Sequence, residues 1–239
     1  MAKDTQELTI WQHVNELRNR LFYSLIALVV GVVISLIFAE NLLALIANPI
    51  GGLENLLSIQ VTENLSVYFR ITLLGGFILA FPFILIQILL FISPGLKKKE
   101  RMWLFRAIPL ATLLFVGGAI FAYLVMLPSA LPFLVEFPGP DVLPKWKDYV
   151  NFVTSLIFWI GISFETPLLM FVLAKLGIID AKGLIKGWRV AVVIIAVIAA
   201  VATPTPDPIN MAILMAPLLI LYLLGILLAA IARRNEHKE

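Results

Sequence analysis

The alternation of long apolar stretches with short polar segments is the strongest pattern in the chain. Six apolar stretches run over residues 21–38, 67–92, 107–127, 150–174, 190–202 and 209–231. Because a helix rises 1.5 Å per residue, about 20 apolar residues cross the hydrocarbon core of a bilayer. The pattern therefore predicts a single membrane domain over residues 1–239 with six spanning helices. The fifth stretch has only 13 residues, and we expect the membrane to be thinner around it.

The polar segments between these stretches predict smaller elements. Residues 1–20 space their apolar side chains along one helical face, which is typical of a helix lying on the membrane surface. The sequence Asn-Pro-Ile-Gly-Gly at 48–52 predicts a turn between two short interfacial helices, at 42–47 and 53–59. Five prolines within residues 128–148 predict an irregular segment that caps the domain.

The composition agrees with a membrane protein and excludes several kinds of site. The chain is 61% hydrophobic and 14% charged, with a mean hydropathy of +1.01, whereas soluble domains have about 25% charged residues. We therefore expect an all-α integral membrane protein. No cysteine is present, and the two histidines, His13 and His237, lie at opposite ends of the chain. Disulfides, thiolate metal sites and a two-histidine zinc site are thus excluded, and we expect no cofactor or metal.

The positions of the basic residues predict the orientation. Of the 18 lysines and arginines, all except Arg70, Lys145 and Lys147 lie in the terminal segments or in the second and fourth gaps between stretches. The positive-inside rule places these segments, and both termini, in the cytoplasm. Cytoplasmic placement and attraction to anionic lipid headgroups together account for these basic residues. The net charge of +3 therefore requires no nucleic-acid partner.

A carboxylate interrupts the fourth apolar stretch. Glu165 lies near the middle of the apolar run 159–171, where a charged side chain costs from roughly 3 kcal/mol upward. Pro167 removes one backbone donor and clashes with the carbonyl of Ser163, so we expect the helix to kink at Glu165. Either Glu165 caps the freed backbone groups in its protonated form, or it faces a ligand or a wet cavity. The second alternative is the default for an acid within a membrane.

Two further acids stand among cations on the predicted cytoplasmic side. Glu100 lies within a run of four basic residues at 97–101, and Glu16 lies beside Arg18 and Arg20. Each carboxylate either neutralises its neighbours or accepts a guanidinium from another molecule. Bidentate pairing of arginine with a carboxylate provides both strength and geometric specificity.

Five stretches in chain order carry a family resemblance. They are His13-x-x-Glu16-Leu17-Arg18-x-Arg20-Leu21, then Phe91-x-x-Pro94-Gly95-Leu96 followed by Glu100-Arg101, then Gly118-x-x-Phe121-x-Tyr123 before Pro128, then Tyr149 with Phe164-Glu165-x-Pro167, and finally Thr203-Pro204-Thr205-Pro206-Asp207. Together they resemble the TatC family, the multispanning receptor subunit of the twin-arginine protein translocase. One departure is Asn210-Met211, where the family often has Ser-Gln and a polar contact with a single-span partner.

The resemblance implies a fold, a function and a set of site residues. The fold would be a curved, concave wall of six helices with an external cap and both termini inside. The protein would bind twin-arginine signal peptides of folded cargo proteins and recruit TatA- and TatB-like single-span proteins for export driven by the proton-motive force. It would work as a homo- or hetero-oligomer in the bacterial cytoplasmic (inner) membrane. The implied signal-peptide site comprises Glu100, Phe91, Pro94, Glu16, Leu17, Arg18 and Arg20, and the implied intramembrane polar pocket holds Glu165 and Gln87.

Two other classes of protein share part of this pattern. A proton-coupled small-solute transporter would also place an acid at the midplane, but it typically has matched halves with broken helices, and the sequence has no such repeat. An intramembrane hydrolase needs a second catalytic group. Asp207 lies in an outer turn, and no second acid accompanies Glu165 within a span. We therefore expect a protein that is not an enzyme.

Overall fold

The computed structural model describes residues 10–58, 60, 62–93, 98–135, 144–202 and 208–234. The helices are α1 (Ile10–Ile37), α2 (Ala39–Ala47), α3 (Glu63–Ile92), α4 (Lys98–Phe121), α5 (Leu127–Val135), α6 (Trp146–Ser163), α7 (Thr166–Lys175), α8 (Ala181–Lys186), α9 (Trp188–Ala202) and α10 (Pro208–Arg234). A π-helical turn, Ala122–Met126, joins α4 to α5. Within these ranges the architecture is all-helical and contains no strand.

Five segments are long and apolar enough to cross a membrane. They are Trp11–Ile37, Glu63–Ile92, Ala107–Pro132, Trp146–Lys175 and Met211–Ala232. The chain is thus a multi-pass membrane protein, and these segments coincide with five of the predicted stretches. The remaining stretch forms α9, whose 15 residues extend about 22 Å against a hydrocarbon core of about 30 Å. The predicted shortness of this helix is confirmed.

The predicted surface helix at residues 1–20 is wrong for the part that the structure describes. Residue 10 already belongs to α1, which continues for 28 residues to Ile37. No glycine or proline occurs between residues 10 and 30, so nothing ends the helix where the apolar stretch begins. Residues 1–9 lie outside the described ranges. The polar residues at 13–20 therefore stand on the same helix as the apolar stretch 21–38.

The segment between α2 and α3 differs in part from its prediction. The first predicted short helix is confirmed as α2, and the glycines at 51 and 52 adopt φ values of 87° and 109° that form the predicted turn. The second predicted helix is wrong, because only Leu53–Asn55 makes a single 3₁₀ turn. Leu57 instead exchanges backbone hydrogen bonds of 3.2 and 2.9 Å with Pro144 and Trp146. This contact ties the segment to the start of α6.

The predicted irregular cap at 128–148 is wrong for its first part. Residues 127–135 form α5, with Pro132 inside the helix. The Leu127 N–H bonds to the Ala122 carbonyl, five residues earlier, so the helical hydrogen bonding is already irregular before Pro128. A proline in the first turn of a helix is tolerated because its missing N–H is not needed there. Residues 136–143 lie outside the described ranges.

Close contact between small residues fixes how α1 packs on α3. A Cβ placed on Gly31 would collide with the carbonyl oxygen of Gly76, and a Cβ on Gly75 would collide with the hydroxyl of Ser35. Small residues at such an interface allow two backbones to approach closely within a membrane. The two helices consequently have a fixed register, which determines the side chains that meet at their ends.

Helix α6 lies at the centre of the core. Its residues Val150, Val153 and Ile160 are fully buried. Gly118 of α4 meets α6 closely, since a Cβ there would lie 3.0 Å from the Cα of Gly161. This close packing of α4 on α6 fixes the position of the carboxyl end of α6.

Candidate functional site

The fourth spanning segment is broken at its predicted kink. Helix α6 ends at Ser163 and α7 begins at Thr166, with Phe164 and Glu165 in the turn between them. Pro167 stands in the first turn of α7, where a proline is tolerated. The Thr166 hydroxyl donates a 2.6 Å hydrogen bond to the Ser163 carbonyl, which is the group that Pro167 leaves without its usual partner. The kink is confirmed, and its freed carbonyl is satisfied locally.

The carboxyl group of Glu165 is buried at this break. Neither of its oxygens makes a hydrogen bond of standard geometry among the described residues, although the backbone of Phe115 lies close to them. The adjacent Phe164 ring packs 5.7 Å from the ring of Phe121 and against Gly118, which closes the α4 side of the break. Because Thr166 already caps the freed carbonyl, the alternative in which Glu165 caps it loses its main support. A buried polar group without a partner is costly, so this carboxyl group suits a partner from another molecule.

A second polar site lies where the beginning of α1 meets the end of α3. The Arg20 guanidinium reaches across both helices: Nη2 lies 3.2 Å from Glu16 Oε1, and Nη1 donates a 3.3 Å hydrogen bond to Gln87 Oε1. Glu16 and Arg20 are one helical turn apart, the spacing at which opposite charges pair on a helix. Their side chains remain 23% and 28% exposed, so the ion pair is accessible.

An aromatic contact extends this site by one turn. The rings of His13 and Phe91 lie 4.5 Å apart at an interplanar angle of 30°. We call the set His13, Glu16, Arg20, Gln87 and Phe91 the α1–α3 polar cluster. It presents a carboxylate, a guanidinium, an amide and two rings in tilted contact on neighbouring helices.

The described residues show where the expected site residues lie. Glu16 pairs with Arg20, Phe91 contacts His13 in the same polar cluster, and Leu17 and Arg18 are exposed on α1. Gln87 was expected beside Glu165 in the intramembrane pocket. Its side-chain oxygen instead accepts from Arg20, and no hydrogen bond joins it to Glu165. The register of α1 on α3 sets Gln87 opposite Arg20, and its place in the intramembrane pocket stays a prediction.

Two of the expected signal-peptide residues lie outside what the structure describes. Pro94 falls in the gap 94–97, and the side chain of Glu100 is not described, although its backbone belongs to the first turn of α4. The proposed roles of these two residues therefore remain predictions.

Sequence reasoning missed the environment of Arg70. From the sequence alone, an arginine near the start of a predicted span can extend its side chain outward to the membrane interface. The Arg70 Nε instead donates a 2.9 Å hydrogen bond to the Thr154 hydroxyl, and its Nη2 donates one of 2.8 Å to the Ser155 hydroxyl. The adjacent hydroxyl residues in the apolar stretch of α6 were the signal that could have revealed this contact. The side chains line a groove of about 440 Å³ together with Leu28, Leu73, Leu74, Phe77, Phe158 and Trp159.

Five segments that are long and apolar enough to cross a membrane, one of them broken at a buried acid, define a polytopic membrane protein. The family model described as Sec-independent protein translocase protein (TatC) matches residues 12–217. The chain therefore belongs to the TatC family, a component of the Sec-independent protein translocase, and the predicted resemblance is confirmed.

Curated relatives agree with this assignment over almost the whole chain. A TatC protein from Deinococcus radiodurans is 37% identical over 94% of this chain and 86% of its own length. One from Carboxydothermus hydrogenoformans is 35% identical, with 98% and 97% covered. A chloroplastic TATC protein from Pisum sativum is 34% identical over 98% of this chain and 67% of its own length. The family thus occurs in bacteria and in chloroplasts.

Solved structures show the same fold. A crystal structure described as the twin arginine translocase receptor TatC superposes with a TM-score of 0.76 and 35% identity, covering 92% of this chain and 99% of that one. A second, described as the same receptor in DDM, gives a TM-score of 0.78 and 34% identity, covering 91% and 99%. The all-helical fold that the sequence predicted is therefore shared with a translocase receptor.

Proposed function

We propose that the protein is the core receptor of twin-arginine translocation, which binds the signal peptides of folded cargo proteins and works by binding rather than by catalysis. The observation that carries the proposal is the accessible Glu16–Arg20 pair in the α1–α3 polar cluster. Among the described contacts, only one of the two carboxylate oxygens of Glu16, Oε1, pairs with Arg20. The other carboxylate oxygen can accept an incoming guanidinium, and the His13 and Phe91 rings lie on the same two helices.

The proposed orientation places this cluster in the cytoplasm. Six spans, with α9 as the short fifth one, would return the chain to the side on which it starts. The excess of lysine and arginine in the termini and in the loop before α4 supports that side as the cytoplasmic one. We propose that the 239 residues form a single six-span domain with a concave wall and an external cap. In a bacterial cell it would reside in the cytoplasmic membrane.

The buried carboxyl group of Glu165 would serve a later step than recognition. It lies ten residues before the end of α7 at Lys175, which is about 15 Å of helix and places it near the bilayer centre. A group at that depth can contact only a segment that has already entered the membrane. We therefore assign the α1–α3 polar cluster to recognition of the signal peptide and Glu165 to its insertion.

Recruitment of single-span TatA- and TatB-like partners, in a homo- or hetero-oligomer, completes the proposal. The family contact after the last external turn falls here on Asn210-Met211. Met211 is half-buried at the start of α10 and is included in the core, whereas the side chain of Asn210 lies outside the described residues. We expect the partner helix to meet this chain through apolar packing at that position.

The test is binding of a twin-arginine peptide to the protein in nanodiscs, compared with a twin-lysine peptide. Planar bidentate pairing favours arginine, so we expect the twin-lysine peptide to bind roughly tenfold or more weakly. A photocrosslinker at exposed Leu17 should capture the peptide, and one at Leu113, which is exposed in the middle of α4, should not. Equal affinity for both peptides, with no capture at Leu17, would contradict the proposal.

Glu100 is tested in the same assay. If this carboxylate pairs with an incoming arginine, Glu100→Gln should weaken binding of the twin-arginine peptide roughly ten- to a hundredfold. Glu100→Asp, which keeps the charge, should retain most of the affinity. Undiminished binding to Glu100→Gln would remove Glu100 from the site and leave Glu16 as its carboxylate.

A further inference from the structure

Arg70 lies close to one end of the helical bundle, opposite to the α1–α3 polar cluster. It is seven residues from the start of α3 at Glu63, and Thr154 is eight residues from the start of α6 at Trp146. These separations correspond to about 10 and 12 Å of helix. The 30 residues of α3 extend about 45 Å, which is the thickness of a bilayer with its headgroups, so Arg70 lies near the boundary between headgroups and hydrocarbon.

The charge of Arg70 is not neutralised by any carboxylate in the described ranges. The ion pair found there is the one between Glu16 and Arg20. Arg70 contacts two neutral hydroxyl groups, which occupy two of the five N–H donors of its guanidinium. Among the described residues, the other three donors have no hydrogen-bond partner, and the charged group lines the groove.

The hydroxyl beside the guanidinium can also donate a hydrogen bond. Because arginine has no acceptor, both hydroxyl oxygens must accept from Arg70. Thr154 already donates its proton to the Val150 carbonyl at 2.7 Å. Ser155 has no such bond among the described residues, so its proton can point toward a bound anion. A cation and an adjacent O–H donor together suit a phosphate or carboxylate oxygen.

The rest of the groove is apolar. Leu28 of α1, Leu73 and Phe77 of α3 and Phe158 of α6 form its walls. Its volume of about 440 Å³ is typical of a site for a small molecule. A ligand that fills this groove therefore has an anionic group at one end and a hydrocarbon chain at the other.

We propose that the groove binds an anionic phospholipid of the leaflet at this end of the bundle. Its phosphodiester accepts hydrogen bonds from Arg70 and Ser155, and one acyl chain lies along Leu73 and Phe77 between α1, α3 and α6. A phosphodiester at this depth matches both the charge and the position of the guanidinium, because lipid phosphates occupy the same boundary. The inference is independent of signal-peptide recognition at the other end.

The test is native mass spectrometry of the purified protein in neutral detergent, titrated with phosphatidylglycerol. We expect Arg70→Gln to weaken binding of one phosphatidylglycerol molecule roughly tenfold or more, and Ser155→Ala to weaken it by less. Arg70→Lys should recover part of the affinity, because it restores the charge without the planar fork. Leu73→Trp, which fills the apolar part of the groove, should also lower the occupancy.

The matched control is Lys147→Gln, which removes an exposed cation of α6 near the same end but outside the groove. It should leave the affinity unchanged, and circular dichroism should show that each variant is folded. Uncharged diacylglycerol should bind wild-type protein no better than it binds Arg70→Gln. Equal phosphatidylglycerol affinity of wild type and Arg70→Gln would overturn the proposal. The proposal would also be overturned if Arg70 crosslinked to an acidic side chain of a single-span partner while Arg70→Gln left lipid binding unchanged.

Discussion

Replacing Glu16 by glutamine separates a structural role of this residue from a role in recognition. The substitution keeps the size of the side chain and removes its charge. In the structure, Glu16 stabilises Arg20, which in turn reaches Gln87 on α3. If Glu16 only positions Arg20, the Glu16→Gln substitution should mainly lower the stability of the protein. If Glu16 also accepts a hydrogen bond from an arginine of the signal peptide, the substitution should mainly lower the affinity for that peptide.

The two effects differ in size. An exposed pair one helical turn apart contributes about 0.3–0.5 kcal/mol, and the side chains of Glu16 and Arg20 are 23% and 28% exposed. That amount changes the thermal midpoint of a protein of this size by a degree or two. A charge-assisted hydrogen bond to an incoming guanidinium contributes about 1.5–3 kcal/mol, which is roughly ten- to a hundredfold in affinity.

The assay compares wild type, Glu16→Gln and Glu40→Gln in nanodiscs. Glu40 is an exposed acid in the first turn of α2, at the other end of the bundle, and serves as the control for a lost carboxylate. We expect Glu16→Gln alone to weaken binding of the twin-arginine peptide by at least tenfold, with little change in thermal unfolding followed by circular dichroism. Equal binding by all three proteins would refute the role of Glu16. A large loss of stability in Glu16→Gln would refute the estimate for the ion pair.

Three further predictions follow from the helix break, the α1–α3 contact and the short helix α9. Glu165→Ala should abolish export while changing peptide binding less than twofold. Glu165→Gln should impair export less than Glu165→Ala if hydrogen bonding rather than charge matters. Normal export by Glu165→Ala would exclude a functional role of this residue. Gly76→Ala places a Cβ about 2.7 Å from the Cα of Val32 and should destabilise the protein by about 1–3 kcal/mol. Gly117→Ala, which meets nothing within 4 Å, should not lower the thermal midpoint, and equal midpoints for both variants would contradict the packing argument. Spin labels at Val190 and Val201, which are exposed near the two ends of α9, should both report interfacial depth, whereas a label buried in hydrocarbon would exclude local thinning.

The spanning helices could be predicted because their signal is local and strong. Unpaired backbone groups are not tolerated in hydrocarbon, so a sufficiently long apolar run has few alternatives to a helix. The prediction failed for residues 10–20, where the apolar spacing fits both a helix on the membrane surface and the extension of a spanning helix. Only the absence of a helix breaker before Gly31 distinguishes the two, and α1 is the result.

The helix break could also be predicted, because Pro167 removes a donor from its own stretch of backbone and frees the nearby Ser163 carbonyl. The partner of Gln87 could not, because it depends on the register between two helices. Gly31 of α1 touches Gly76 of α3, and the helices run in opposite directions. Eleven residues before Gly31 is Arg20, and eleven residues after Gly76 is Gln87. Eleven residues make just over three helical turns, so both side chains return to the contact face and meet at 3.3 Å.

The two arginines on these helices show why a cation near a span end cannot be interpreted from sequence alone. Arg20 and Arg70 each stand near the polar end of an apolar stretch, where both fit the description of an interfacial cation. Packing gives Arg20 a carboxylate and an amide, whereas it gives Arg70 two hydroxyl groups. The first guanidinium pairs with one oxygen of Glu16, and we propose that the other oxygen of that carboxylate is the group that serves recognition. The second keeps its charge beside an apolar groove, so an anion with a hydrocarbon chain is the ligand that its surroundings favour.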